Sequence, residues 1–308
     1  MRIFVLGNFI HAHFMYVDRL PQAGESCAAR RVFQEHGGKG LNLGVGLHRL
    51  GAQVAMLMAV GADAAGAAVK RALLAEGMDV QHVLDLGESS GFGVGFIAPA
   101  GGNFLAAHLG ANALLAPGHV DAALAQAAAP DWVMAHFEVP VEVVRHAFGR
   151  ARACGARTYL NPSPWMPLDA ATLALIDVLV VNETEAAGLF ECDGTAMWTR
   201  DEWAGCLPAL AARAGWRGED LVVTLGAAGS VALARDGTVH SAPAPAIEPV
   251  DATGAGDAFG CGLVWSLARG STLAEALHVG NACGAYIAAR EGVFAHLPRP
   301  AELALRSA

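Results

Sequence analysis

The alternation of strand-like and helix-like stretches along the 308-residue chain is the feature that most constrains its fold. Short apolar runs at Gln53–Val60, Trp132–His136 and 178–181 are typical of buried strands. Stretches 254–269 and 273–290 carry apolar residues at helical spacing, which indicates helices with one buried face. Strands that alternate with helices form a mainly parallel sheet covered on both faces. The sequence therefore predicts an α/β fold with a doubly wound, mainly parallel sheet flanked by helices.

Two stretches, about 11–35 and 92–109, break this alternation because they contain strand and turn signals without a helix. We expect them to form a small β-sheet that lies against the main body as a lid. Residues 99–103 (PAGGN) carry the turn signal of a hairpin inside the second stretch. No linker rich in Pro, Ser or charge divides the chain, so residues 1–308 are expected to form a single domain.

Composition narrows the classes of function. Hydrophobic residues make up 54% of the chain and charged residues 16%, which excludes a globally disordered protein. The net charge is −9 and no Lys/Arg cluster is larger than Arg30-Arg31, so we expect no nucleic-acid partner. The N-terminal apolar run is too short for a signal peptide, and the six cysteines form no C-x-x-C pair. These features predict a cytoplasmic protein without a membrane segment or a zinc ribbon.

Residues 251–257 (DATGAGD) carry the clearest chemical signal. Two glycines precede an amphipathic helix, where free N–H groups and the helix dipole suit a phosphate oxygen. Asp257 falls in the first helical turn, and a carboxylate there can take a proton from an attacking hydroxyl. A small-molecule kinase needs both of these elements. The alternative is an ordinary helix start in which Asp257 only complements the dipole, and the spacing alone leaves both open.

Residues 36–42 (HGGKGLN) form a second motif at the start of another predicted helix. Lys39 and Asn42 are three residues apart, so both side chains can face one ligand. Gly37 and Gly38 leave room for that ligand. The alternative is a solvated lysine and a capping asparagine. The chain contains neither a G-x-x-x-x-G-K-[ST] phosphate loop nor a G-x-G-x-x-G dinucleotide motif.

Segments 37–40 (GGKG), 182–185 (NETE) and 251–257 resemble, in order and approximate spacing, the three signatures of the ribokinase-like (PfkB) sugar kinases. The resemblance runs from Gly7 to about Pro298. It implies a doubly wound sheet with a β lid and an enzyme that transfers a phosphoryl group from ATP to a sugar hydroxyl, with Mg²⁺. It also implies a homodimer that pairs through the lid.

The same resemblance implies roles for residues around the transferred group. Asp257 would be the catalytic base, and the backbone amides of Gly254, Ala255 and Gly256 would form an anion hole for the phosphoryl group. The positions that would bind the sugar are Gly38, Lys39, Asn42 and Glu138. For Glu138 the alternative is an ordinary acid in the first turn of a helix near Pro140.

Further positions are implied for the nucleotide and for the ions. Those that line the nucleotide in the family match Asn182, Thr224, Gly226 and Asn281. Glu185 would organise Mg²⁺, partly through water, and Asp251 and Thr253 match a monovalent-cation (K⁺) site. The alternatives are that Asn182 only caps a helix and that Asn281 lies on an exposed helix face.

The chain departs from the family pattern after its first strand. Ribokinases typically carry an Asn and an Asp that hold sugar hydroxyls there, and the matching positions are Ile10 and Ala12. Loss of a hydroxyl-binding carboxylate should weaken the binding of ribose. We therefore expect a substrate with fewer hydroxyls at that place, or a nucleoside or pseudouridine-type substrate. A catalytically inactive sugar or nucleotide sensor is a more distant alternative. His296 stands where ribokinases tend to carry a Ser in the cation loop, which argues against activation by K⁺.

Overall fold

The computed structural model describes residues 1–98, 103–192 and 194–303. The strands are β1 (Arg2–Leu6), β2 (Ile10–Tyr16), β3 (Arg31–Gly37), β4 (Gln53–Val60), β5 (Val83–Asp85), β6 (Gly91–Ile97), β7 (Asn103–His108), β8 (Trp132–His136), β9 (Arg157–Asn161), β10 (Val178–Asn182), β11 (Asp220–Thr224), β12 (Ser230–Ala234) and β13 (Val239–Ala242). The helices are α1 (Lys39–Arg49), α2 (Ala64–Ala75), α3 (Pro117–Gln126), α4 (Val141–Ala153), α5 (Ala170–Leu173), α6 (Glu183–Phe190), α7 (Arg200–Arg213), α8 (Ala255–Leu267) and α9 (Leu273–Ala288). Short 3-10 turns lie at Gly110–Leu114, Thr195–Met197, Gly226–Ala228 and Phe294–His296.

The main sheet confirms the predicted α/β fold. Within the described residues it has nine strands in the order β13-β12-β11-β10-β9-β8-β1-β4-β5. The strands from β11 to β5 in this order are parallel to their neighbours, whereas β12 and β13 pair in antiparallel fashion at one edge. After β1, strands β4 and β5 are added on one side of it, and the strands from β8 to β13 are then added on the other side. The strand order therefore reverses beside β1.

Both faces of the sheet are covered, as expected for strands that are apolar throughout. In β1, Ile3 and Val5 belong to one hydrophobic core, and Phe4 and Leu6 belong to the other. The first core includes apolar residues of α1, α2, α8 and α9. The second includes those of α3, α4, α6 and α7. Helices on both faces leave the strand ends as the places where polar side chains can gather.

The predicted second sheet is also present. Strands β2, β3, β6 and β7 form it in the order β3-β2-β6-β7, and we call these four strands the lid. β2 pairs with β6 in parallel, and the two outer pairs are antiparallel. β6 and β7 pair in antiparallel fashion, and the turn expected between them at 99–103 falls mostly on residues 99–102, which lie outside the described residues. Of the helices described, none is long and apolar enough to cross a membrane.

Candidate active site

The reversal of strand order beside β1 locates a candidate site. In doubly wound sheets, ligands bind beyond the carboxyl ends of the strands at such a reversal. A cavity of about 330 Å³ opens there, between the lid and the main sheet. Residues of both parts line it, namely Lys39, Asn42, Glu138, Thr253, Gly254 and Asp257 from the body and Ile10, Ala12, Phe14 and Glu35 from the lid. The structure thus brings together the two motifs that the sequence singled out.

Asp257 lines this cavity from α8 and is held in place by a residue in the first turn of α1. It lies in the first turn of α8 and is only 8% exposed. Asn42, in the first turn of α1, donates a hydrogen bond from Nδ2 to Asp257 Oδ2 at 2.8 Å. Lys39 Nζ lies 3.9 Å from Asp257 Oδ1. Two positive helix ends and one ammonium group therefore surround the carboxylate.

Burial and neighbouring charges act in opposite directions on the pKa values of Asp257 and Lys39. Burial raises the pKa of Asp257, and although Lys39 and Asn42 oppose it, the pKa stays above its usual value. Burial alone would lower the pKa of Lys39, but Asp257, Glu138 and Glu185 raise it above its usual value. Lys39 is therefore a cation near neutral pH, and the Asp257 carboxylate is more basic than an exposed one.

The N-terminus of α8 is shaped by Gly254. Its φ is +73°, and a Cβ added there would lie 2.5 Å from Val293 Cγ1, so no larger residue fits. Gly254 is the N-cap residue and provides no capping side chain. The N–H of Ala255 donates to the Ala252 carbonyl at 3.2 Å, whereas the space around the Cα of Gly256 is open. An anion can approach this helix end from the side of Gly256.

Asn8 is a site residue that sequence reasoning missed. It lies two residues after the end of β1 and is fully buried. Its Oδ1 accepts a hydrogen bond from the N–H of Gly40 at 2.9 Å, and its Nδ2 donates to Glu138 Oε2 at 2.8 Å. The N–H of Lys39 donates to the same Glu138 oxygen at 3.2 Å. Glu138 is therefore fixed by two donors ahead of α4, and it is not a residue of that helix's first turn.

His136, the last residue of β8, was also missed. It is fully buried, and its Nδ1 accepts a hydrogen bond from the N–H of Glu138 at 3.0 Å. Burial and the charge of Lys39 lower the pKa of His136 to about 3, so the ring is neutral. Both Asn8 and His136 are polar residues at the carboxyl end of a buried strand. That position is the signal by which the sequence could have shown them.

The predicted nucleotide side lies at the ends of β10 and β11. Asn182 and Thr224 are direct neighbours in the parallel register of these strands. Asn182 caps α6, because its Oδ1 accepts from the N–H of Glu185 at 2.8 Å while Glu185 Oε2 accepts from the N–H of Asn182 at 2.9 Å. The capping role considered for Asn182 is thus present in the structure. Gly226 begins the next turn with a φ of +50°.

Asn281 is buried and does not lie on an exposed helix face, so that alternative was wrong. Its Nδ2 donates to Ser230 Oγ and to the carbonyl of Ala242, both at 3.1 Å. The amide therefore joins α9 to β12 and β13. This contact satisfies a buried polar group.

Two carboxylates qualify as ion ligands on different grounds. Glu185 is only 4% exposed, and its hydrogen bonds from Asn182 and Asn161 both reach Oε2. Asp251 Oδ1 accepts from the N–H of Thr253 at 2.9 Å beside the cavity. Within the described residues, no group of three or more His, Cys, Asp or Glu side chains could hold a metal ion. A single carboxylate with water and phosphate oxygens nevertheless fits Mg²⁺.

Comparison with known proteins identifies the family. Residues 2–300 match the model of the pfkB family carbohydrate kinases. The chain belongs to this family. The ribokinase of Haemophilus influenzae is 31% identical over 296 residues, covering 96% of this chain and 94% of that protein. The deoxyribokinase of Salmonella typhi is 31% identical over 264 residues, covering 85% and 84%.

Solved structures agree with this assignment. The ribokinase of Cryptococcus neoformans in complex with ADP superposes with a TM-score of 0.81, at 25% identity and 98% coverage of both chains. The nucleoside kinase of Burkholderia thailandensis in complex with inosine has a TM-score of 0.77, at 23% identity, covering 98% of this chain and 94% of that one. The second likeness concerns the fold alone.

The close approach of α1 to β1 can be tested at Gly40. A Cβ at this position would lie 2.4 Å from the Gly7 Cα and 2.6 Å from His136 Nε2, in a packed region with no room to move. We expect Gly40→Ala to lower the free energy of unfolding by about 1–3 kcal/mol or more. The measurement is urea-induced unfolding followed by circular dichroism.

The matched control is Gly205→Ala in α7, where an added Cβ meets nothing within 4 Å. That change should raise the free energy of unfolding by about 0.5–1 kcal/mol, since alanine is the better helix former. Equal effects of the two substitutions would contradict the packing described for Gly40.

Proposed function

We propose that the protein transfers a phosphoryl group from ATP to a hydroxymethyl group of a sugar or sugar-like small molecule, with Asp257 as the general base. The observation that carries the proposal is the buried Asp257 carboxylate, which lies at the N-terminus of α8 and faces the cavity beneath the lid. The ribokinase and deoxyribokinase relatives, by their names, act on sugars of this kind.

In this mechanism the acceptor hydroxyl donates its proton to Asp257 while its oxygen attacks the terminal phosphorus of ATP. The bond from that phosphorus to the bridging oxygen breaks, and ADP leaves with the electron pair. The raised pKa of Asp257 suits a base that must hold the proton during transfer. The backbone amides of Gly254, Ala255 and Gly256 would neutralise the charge that develops on the phosphoryl oxygens. The bond between Ala255 N–H and the Ala252 carbonyl is long, at 3.2 Å, so that amide can turn to a better acceptor.

The acceptor would be held by Gly38, Lys39, Asn42 and Glu138. Asn42 Oδ1 is buried without a hydrogen-bond partner among the described residues, while its Nδ2 is used by Asp257. An unpaired buried oxygen is costly, and a sugar hydroxyl is the donor it lacks. Glu138 is oriented by Asn8 and the N–H of Lys39, both on Oε2, which leaves Oε1 for a second hydroxyl.

ATP would lie beyond the ends of β10 and β11, with Asn182, Thr224, Gly226 and Asn281 around it. Glu185 would hold Mg²⁺ through water, using the oxygen that Asn182 and Asn161 leave free. The ion supplies charge neutralisation at the phosphate oxygens. Asp251 and Thr253 would hold a monovalent cation such as K⁺ beside the anion hole. Asn281 would line the nucleotide site, while its Nδ2 stays hydrogen-bonded to Ser230 and Ala242 within the protein.

The proposal extends to assembly and location. A homodimer would pair through the outer face of the lid, where Val32 and Phe92 are large apolar side chains left 51% and 43% exposed. Action in the cytoplasm is supported by the six cysteines, all of which are free thiols. The partners would be a small-molecule sugar or nucleoside and a second copy of the chain.

Replacement of the base tests the central step. We expect Asp257→Asn to reduce kcat by about 100- to 10,000-fold, because the amide cannot accept the proton. The measurement is ADP release coupled to NADH oxidation, with ATP binding followed by calorimetry. Asp201→Asn on the exposed side of α7 is the control and should leave kcat unchanged. Full turnover by the Asp257→Asn protein would rule out this mechanism.

Lys39 should set the pH dependence of the reaction. Asp257 must be ionised to act as a base, so kcat/KM falls as the pH drops through its pKa. Lys39 lowers that pKa, and its removal raises it. We therefore expect Lys39→Met to move the acidic limb of the kcat/KM profile to higher pH. Lys70→Met removes a lysine that pairs with Asp85 instead and should leave the limb in place; an unmoved limb in Lys39→Met would contradict the assignment.

A nucleoside kinase is the second candidate, because the lid side of the cavity is mostly apolar at β2. Ile10, Ala12 and Phe14 line it there and offer no side-chain hydrogen bond to a hydroxyl, and His13 is the polar residue of β2 in the lining. An acceptor with a planar base would bury apolar surface against them. On this alternative, kcat/KM for inosine exceeds that for D-ribose in the ADP-release assay. The reverse order, with D-ribose preferred, would exclude it.

A further inference from the structure

The pairing of β2 with β3 places a carboxylate beside the apolar part of the lid. Ala12 and Glu35 are direct partners in the antiparallel register. Directly opposed residues point to the same face, with Cβ atoms about 5 Å apart. Both line the cavity that contains Asp257. A carboxylate on β3 is thus available on the same face of the lid where Ala12 provides none.

The hydrogen bonds of Glu35 use only one of its two oxygens. Oε2 accepts from the N–H of Val293 at 2.8 Å and from the N–H of Phe294 at 3.3 Å. In the part of the chain that the structure describes, Oε1 accepts no hydrogen bond and no Lys or Arg forms an ion pair with Glu35. The side chain is held in position by the loop that follows α9, and it has acceptor capacity left over.

The surroundings make that free capacity costly. Burial raises the pKa of Glu35, and the nearby carboxylates of Asp251 and Glu291 raise it further, in opposition to the two amides. Glu35 is half-buried, and a carboxylate that loses part of its hydration without a compensating cation carries a desolvation cost. A neutral hydroxyl group can donate to Oε1 and reduce this cost.

We infer that Glu35 is a specificity-determining residue that binds one hydroxyl of the acceptor from the lid. The inference rests on the proposed kinase function and names the substrate class more closely. The acceptor has a hydroxymethyl group at Asp257 and hydroxyls at Asn42 and Glu138. It has one further hydroxyl directed towards β3 and an apolar group, or no substituent, over Ile10 and Ala12.

The competing explanation is that Glu35 only fastens the lid to the loop at Val293. Glu291 serves as the matched control, since it fastens the same two parts through Arg31 and the Tyr16 hydroxyl but does not line the acceptor cavity. A fastening role predicts similar defects for both residues. Acceptor binding predicts a defect for Glu35 alone.

The experiment compares Glu35→Gln with wild type and with Glu291→Gln. Glutamine keeps a carbonyl oxygen for the two loop amides, so the fold is retained, which thermal unfolding checks. Acceptors are D-ribose, 2-deoxy-D-ribose and inosine, followed by the monodeoxy analogues of the one with the highest kcat/KM. We expect Glu35→Gln to raise the KM for the acceptor about 10- to 100-fold, as for the loss of a hydrogen bond to a charged group. The KM for ATP should stay within about twofold, since the nucleotide does not touch the lid in this assignment.

A substrate cycle and a relocated charge complete the test. For wild type, one monodeoxy analogue should raise the acceptor KM by the same factor as the Glu35→Gln substitution does. For the Glu35→Gln enzyme, the same analogue should raise the acceptor KM no further. In a Glu35→Ala background, Ala12→Asp should recover part of the acceptor KM, because it restores a carboxylate on the same face. Glu291→Gln should leave the acceptor KM within about threefold of wild type, since its contacts with Arg31 and Tyr16 lie outside the acceptor cavity.

Three results would overturn the inference. The first is an unchanged acceptor KM in Glu35→Gln, and the second is an equal rise of the acceptor KM in Glu291→Gln. The third is a loss in Glu35→Gln that affects kcat alone and is reversed by excess K⁺, which would make Glu35 part of the cation site. Failure of the proposed function is distinguishable, because wild type itself would then release no ADP with any acceptor in the panel.

Discussion

The hydrogen bond from Asn42 to Asp257 joins the first turns of two helices that are 215 residues apart in the chain. Each turn presents a positive dipole end, although the first N–H groups of α1 are already paired with Glu138 and Asn8. Bringing two such ends together is favourable only when negative charge lies between them. Asp257 supplies part of that charge, and a phosphoryl group would supply the remainder. The packing of α1 against α8 is therefore tied to the chemistry of the site.

The strands contribute through the polar residues at their carboxyl ends. Asn8 follows β1 and His136 ends β8, and these two strands are neighbours at the reversal of strand order. Together they fix Glu138 and the start of α1 by hydrogen bonds that are buried or part-buried. Among the described residues, His136 Nε2 and Asn42 Oδ1 are buried without a hydrogen-bond partner, so the network is satisfied only in part. Its existing bonds hold Glu138 and the first turn of α1 in one arrangement.

The sequence predicted the fold well because the fold depends on local periodicity. Alternating strand and helix patterns predicted the main sheet, and the absence of a helical pattern predicted the lid. Lys39, Asn42 and Asp257 could be grouped because each lies at a glycine-opened helix start. Their roles remain predictions, as do those of the nucleotide-side residues.

Residues that act through long-range contacts were not visible in the same way. Asn8 matters because of its contact with Glu138, 130 residues further along the chain. His136 matters because the fold buries it near Lys39. Glu35 depends on the register of β2 with β3 and on a loop 258 residues further along. The burial of Asn281 likewise depends on the approach of α9 to β12 and β13. No short window of sequence contains these relationships.

The close contact between Gly40 and the chain at Gly7 has a consequence for how such an enzyme can diversify. The part of the cavity formed by the main sheet is built largely from backbone and from side chains locked by mutual hydrogen bonds, so it tolerates little substitution. The four lid strands carry side chains that touch neither hydrophobic core to the same extent. New acceptor preferences can therefore arise by exchange of lid residues, while the machinery for phosphoryl transfer and the stability of the body stay as they are.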